Sequence, residues 1–155
     1  MRLMKLLLLT SLVAVPALAQ NLMEERIWKI SSRKKSIFLD TGVFHYNSNL
    51  KNSSVTGVRS SVNAGFERVV VDFNSTTIPK LYGHISSQNH KLSVDFFDTG
   101  VMTSQPQLKN SKFVRAVDFI NVDGKSVTME LSFKGKAGFD IFYLDNPGRL
   151  VIDIR

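Results

Sequence analysis

The chain has 155 residues, no cysteine and a formal charge of +7. That length suits one domain with a substantial apolar core, and the missing thiols exclude a disulfide-stapled fold. The basic excess steers the chain toward anionic partners without naming one.

The amino terminus carries Arg2 and Lys5, then an uncharged apolar run over 6–15, then Pro16 and Ala17-Leu18-Ala19 ahead of Gln20. Charged, apolar and small residues in that order make a secretory signal peptide. The apolar run is shorter than the about 20 residues a membrane span needs. Residues 1–19 are therefore expected to be removed. The exported chain would then have no transmembrane segment and a charge of +5, after loss of Arg2 and Lys5. No cysteine follows the small residues, which excludes a bacterial lipid anchor there. An exported chain without cysteines fits a bacterial periplasm or secreted space better than a small disulfide-dense animal module.

Residues 20–54 are polar and basic, with Arg33-Lys34-Lys35 and an Asn/Ser-rich stretch over 47–54. Short strands are expected over 27–30 and 36–46. They form an extra amino-terminal hairpin followed by a linker, with Trp28 as a packing anchor. Arg33-Lys34-Lys35 reads as a solvated turn.

From Val55 the chain alternates with period two. Val69, Val71 and Phe73 fall on one side, Arg68, Val70 and Asp72 on the other. Leu92, Val94 and Phe96, then Val127, Met129, Leu131 and Phe133, then Leu150, Ile152 and Ile154 repeat the pattern. Half-buried strands produce it, because successive side chains point to opposite faces of a sheet. Residues 113–120 and 139–144 supply two further strands, and no window carries the apolar stripe of a long helix. Asn63-Ala64-Gly65, Thr99-Gly100 and Asp123-Gly124 mark turns. Asn146-Pro147-Gly148 predicts a type II turn, with proline presetting φ and glycine taking the positive φ that follows.

Sliding the chain by 58 lays residues 69–96 on 127–154 without a gap, so that Lys91 meets Arg149 and Asp95 meets Asp153. Each half then reads as strand, turn, short strand, turn, strand, with one leading strand more. The expected fold is all-β, a β-sandwich of two similar halves whose sheets bury their apolar faces against each other.

Two segments carry a family resemblance. Gly65-Phe66-Glu67-Arg68-Val69-Val70-Val71-Asp72-Phe73 and Asn146-Pro147-Gly148-Arg149-Leu150-Val151-Ile152-Asp153-Ile154 resemble the signature segments of AMIN and AMIN-like domains. Those are β-sandwich modules of bacterial envelopes, found in cell-wall amidases and type IV pilus secretins and associated with peptidoglycan binding. The resemblance covers 55–155. It implies an AMIN-like domain over that range and a non-catalytic targeting module that binds peptidoglycan or another anionic wall polymer. Residues 20–54 have no counterpart in the family, and no amidase or secretin domain follows Arg155.

The residues themselves point away from catalysis. His45, His84 and His90 lack the spacing and the nearby glutamate of a zinc hydrolase, so no metal and no cofactor are expected. Asp95 and Asp98 read as outer-face carboxylates. There is no Gly-x-Ser-x-Gly elbow and no phosphate-binding glycine loop. Modest charge and an export signal argue against nucleic acid.

Cations remain as the ligand-binding candidates: Arg68 and Arg149 opening the two signature strands, Arg115 within 113–120, and Lys91 at the position equivalent to Arg149. Guanidinium groups hold carboxylates through two parallel hydrogen bonds, and wall peptides and lactyl or uronic groups carry carboxylates. The competing reading pairs Arg68 with Asp72 or Asp95, and Arg149 with Asp153 or Asp145, merely to solvate the sheets. A second function class is a protein-interaction module of a pilus, secretion or division apparatus, adding a partner strand to a sheet edge.

Overall fold

The computed structural model describes residues 38–86, 88–103, 106, 108 and 110–155. The signal segment, Trp28 and the strand expected over 27–30 lie outside these residues.

The described chain is all strand and loop. In order the strands are β1 (Thr41–Tyr46), β2 (Ser53–Asn63), β3 (Phe66–Phe73), β4 (Leu81–Ser86), β5 (Lys91–Phe96), β6 (Thr99–Val101), β7 (Val114–Asn121), β8 (Val127–Phe133), β9 (Phe139–Leu144) and β10 (Arg149–Ile154). They form two five-stranded sheets packed as a β-sandwich. The first sheet has the order β6-β2-β3-β10-β9 and the second β1-β4-β5-β8-β7.

The period-two residues supply the core. Val69, Val71, Phe73, Leu150, Ile152 and Ile154 of the first sheet are buried, as are Leu92, Val94, Phe96, Val127, Met129, Leu131 and Phe133 of the second. They belong to one apolar cluster. Phe73 meets Phe96 edge-on across the layer at 5.3 Å between ring centroids. Such pairs contribute about 1 kcal/mol beyond the area they bury.

The two halves are present but interlocked. Each was expected to build one sheet, yet each gives one hairpin to both. In the first half, β2–β3 enters the first sheet and β4–β5 the second; in the second half, β7–β8 enters the second and β9–β10 the first. The central pairs, β3 with β10 and β5 with β8, therefore join strands from different halves. Hairpins on opposite sheets let the two apolar faces of one half cover each other across the core. The equivalence extends to irregularities. β2 bulges between Val55 and Gly57 opposite Phe73 and Asp72, and β7 bulges between Val114 and Ala116 opposite Phe133 and Ser132. Thr56 and Arg115 are the extra residues at these two bulges.

The strand expected over 36–46 is an edge of the second sheet. β1 runs antiparallel to β4, with Phe44 opposite Gly83 and Tyr46 opposite Leu81. Just before it, Leu39 exchanges two backbone hydrogen bonds with Phe139 of β9, at 2.9 and 2.7 Å. Tyr46 packs on Tyr143 of β9 at 5.0 Å, and the Tyr143 hydroxyl donates to the His45 carbonyl at 3.3 Å. Residues 39–46 thus stitch an edge of one sheet to an edge of the other. Phe44 lies flat over Gly83, where a methyl group would overlap its ring.

The turn at Asn146-Pro147-Gly148 differs from the type II form expected. The Asn146–Pro147 peptide is cis, and the positive φ belongs to Asn146 at 54° rather than to Gly148. Glycine is required at 148 for a different reason. The Thr77 backbone lies where its Cβ would stand, and Gly148 N–H donates to Ser75 O at 2.8 Å. The Asp123-Gly124 hairpin is as expected, joining antiparallel β7 and β8, with Gly124 at φ 76°.

Gly83→Ala should push Phe44 off β4 and lower stability by about 1–3 kcal/mol, the usual range for overpacking. In a Phe44→Ala background the same change should cost much less, which a double-mutant cycle of chemical unfolding measures. Burial raises the Tyr143 pKa above its ordinary value, with the nearby Tyr46 adding to the shift. The neutral phenol is thus favoured by folding, and its contribution is complete below the unfolded value of about 10 and lost as pH climbs through the higher folded value. Alkaline spectrophotometric titration should show a late tyrosine step that Tyr143→Phe removes.

Candidate functional site

The four candidate cations do not converge. Arg68 of β3 and Arg149 of β10 share the outer face of the first sheet, where Arg68 stands opposite Asp153 and Arg149 opposite Asp72. Four residues of β10 separate these positions, roughly 13 Å along the strand. Lys91 and Arg115 belong to the second sheet. Lys91 faces Ser132, whose other neighbour is Ala116, next to the bulge residue Arg115. The pairs sit on different layers of a sandwich whose sheets are about 10 Å apart, so no small ligand spans all four.

Their local chemistry also differs. The Arg68 guanidinium grips Asp153 with Nε to Oδ1 and Nη2 to Oδ2, both at 2.7 Å. It lies over the rings of Phe66 and Phe142, at 5.4 and 5.3 Å from their centroids. Hydrogen bonding to Asp153 raises the Arg68 pKa against a desolvation cost, and the charges of Asp153 and Asp140 add to the rise. Asp153 is only 5% exposed. Arg68 thus neutralises a buried carboxylate, and its partner is the aspartate that the sequence reading had offered to Arg149. Asp72 is held instead by Arg59, at 2.9 and 3.2 Å. Arg59 escaped the sequence reading because only the β2–β3 register brings it beside Asp72.

Arg149 donates Nε–H to the Pro147 carbonyl at 3.1 Å and has no carboxylate partner among the described residues. Lys91 pairs with Glu130 at 3.0 Å. Arg115 makes no ion pair among the described residues.

A buried acid also went unnoticed. Glu67 is fully buried; its Oε2 accepts the Lys112 and Phe113 amides at 2.9 Å each, while Oε1 has no partner among the described residues. Its parity with Val69, Val71 and Phe73 was the available signal, since it places Glu67 on the core face. The carboxylate anchors the chain as it enters β7.

The outer face of the second sheet brings His45 opposite Tyr82 and Val43 opposite His84. Asp95 accepts the Thr128 hydroxyl at 2.6 Å. The 58-residue shift makes Asp95 the counterpart of Asp153, but the two central pairings differ in register, so Asp95 faces Thr128, whose own counterpart is Val70 rather than Arg68. Tyr82 is exposed, Phe142 lies outward beneath Arg68, and the adjacent Tyr143 packs inward. His90 sits at the β4–β5 turn with φ 52°, away from His84, which pairs with Ser93. Among the described residues, no three His, Asp or Glu side chains form a metal-sized group, and no helix is long and apolar enough to cross a membrane.

Two polar grooves indent the surface. One, of about 350 Å³, is lined by Asp40, Thr41, His84, Ser86, Gln88 and Lys136. The other, of about 480 Å³, lies where the start of β2, the β5–β6 turn and the β7–β8 turn meet, between Lys51 and Lys125.

Charge is unevenly shared along the chain. Residues 38–155 hold thirteen Lys and Arg against eleven Asp and Glu, whereas residues 1–37 hold seven against two. The sandwich is therefore almost neutral, and local unpaired cations matter more on it than overall charge. No protein-family model matches the sequence, and no curated protein matches it.

Arg68→Ala strips a buried carboxylate of its partner. It should cost about 2 kcal/mol, a buried-pair figure discounted because the Arg68 side chain is 39% exposed. Arg149→Ala should stay within about 0.5 kcal/mol of the parent. Urea unfolding of the two variants checks this, and equal losses would overturn the distinction.

Proposed function

We propose that the chain is a non-catalytic AMIN-like module of the bacterial envelope, exported to the periplasm or beyond, that binds peptidoglycan or another anionic wall polymer. One observation carries this reading. The two segments that resemble the AMIN signatures lie far apart in sequence yet form β3 and β10, antiparallel neighbours at the centre of the first sheet. Their shared Arg-apolar-apolar-apolar-Asp pattern has a physical use there: the arginine of the first segment locks the aspartate of the second. The pairing of the two segments supports this reading.

Rigid strands supply a platform, and cations without carboxylate partners among the described residues supply the contacts. Arg149 and Arg115 belong to that group, and so do the lysines of the larger groove. Exposed cations attract an anionic polymer in a salt-dependent way. A second reading rests on β7, an eight-residue edge strand of the second sheet, which offers backbone groups to a strand from an envelope protein. Arg115 and Asp118 place charges along that strand, a common guard against indiscriminate pairing.

Co-sedimentation of the protein with purified sacculi across a salt series tests the proposal. Saturable binding that weakens as salt rises is expected. Absence of binding at low salt would overturn it, and crosslinking in the envelope would then identify a protein partner at β7.

A further inference from the structure

The larger groove is made by three segments that the sequence marked only as linker and turns: the chain entering β2, the turn from β5 into β6, and the β7–β8 turn. Lys51 and Lys125 are both exposed on its lining, and neither has a carboxylate partner among the described residues. Asp98 is the one acid among the lining residues. Hydroxyl and amide groups fill the space between, from Asn52, Ser53, Ser54 and Thr99.

The walls are built before any ligand arrives. Ser53 N–H donates to Asp98 O at 3.0 Å, and Thr99 N–H donates to Lys125 O at 2.8 Å, so the three segments are tied to one another. Asn74 Oδ1 accepts the Ser54 amide at 2.9 Å, and Asp123 Oδ1 accepts the Lys125 and Ser126 amides at 2.9 Å each. Asn52 and Asp98, side by side where the chain enters β2 and β6, both hold left-handed backbone, at φ 56° and 49°. Such conformations cost free energy and persist where the surroundings fix them. Little ordering then remains to be done on binding, which favours affinity.

We propose that this groove seats a carboxylate-bearing unit of the wall polymer, a proposal that rests on the wall-binding reading above. Two lysines and one aspartate line the groove, so its lining carries a net positive charge. A single carboxylate fits this balance better than a phosphate dianion, because Asp98 repels a second negative charge. The hydroxyls and the Asn52 amide suit sugar or amide groups next to the carboxylate. A volume of about 480 Å³ accommodates about one such unit.

The carboxylate has two sources in a wall polymer, the lactyl group of the glycan and the acids of its peptides. The isotope-labelled protein is titrated with N-acetylmuramic acid, with N-acetylglucosamine, which lacks the lactyl acid, and with an alanyl-glutamate dipeptide. Amide shifts are expected at 51–54, 98–100 and 124–125 with one of the two acids and not with N-acetylglucosamine. The responding acid names the source. Lys51→Ala with Lys125→Ala should weaken that binding roughly tenfold or more, the loss expected for charge-assisted hydrogen bonds. Both lysines are exposed, so folding should be unaffected, and an unchanged melting curve checks it. Equal shifts with N-acetylglucosamine, shifts mapping elsewhere, or no response to either acid would overturn the groove. Sacculus binding that survives in the double variant would also reject the groove while leaving the wall-binding reading intact. Absence of sacculus binding by the parent protein would reject that reading itself.

Discussion

Everything in this molecule hangs on a single dry layer between two sheets. Without cysteines, no covalent staple can substitute for apolar burial. Each central strand must therefore send alternate side chains inward, and a one-residue slip would turn the apolar set to water. The inward residues of β3, β5, β8 and β10 are almost wholly aliphatic or aromatic and fully removed from solvent. Glu67 is the exception. It occupies a core-facing position at the start of β3 and is accommodated because two backbone amides converge on it.

The interlocking of the halves follows from the same need. A single hairpin cannot bury its apolar face alone, and hairpins on opposite sheets bury each other. Pairing β3 with β10 and β5 with β8 then fixes the register between halves. The side where β1 meets β9 is closed by Leu39, Tyr46 and Tyr143, so residues before β2 complete the sandwich. Phe44 reaches its place only because Gly83 has no side chain.

Once the inner faces are committed, chemistry is left to the outer faces and the ends. The outer face of the first sheet is largely self-satisfied: Arg59 serves Asp72, and Arg68 serves Asp153 while covering two phenylalanine rings. Arginine suits that task because its planar fork bonds a carboxylate edge-on while its faces stack on aromatics. What remains uncommitted lies at strand ends, bulges and turns, where Arg149, Arg115, Lys51 and Lys125 project. A nearly neutral sandwich would act through such local groups rather than through its overall field.

The period-two pattern alone determined the fold class, the central strands, the inner and outer residues of each, and the likeness of the two halves. Those are local consequences of alternation, legible wherever successive side chains face opposite ways. The parity rule even marked Glu67 as inward, though composition drew the eye to its apolar neighbours. Pairing across distance was not legible. That Arg68 would choose Asp153, that Arg59 would claim Asp72, and that each half would divide between both sheets depends on which strands lie side by side. Periodicity assigns a side chain to a face and says nothing of its neighbour on that face. The groove between Lys51 and Lys125 is of the same kind. Its three segments are distant in sequence and polar throughout, and only the closing of the sandwich brings them to one end.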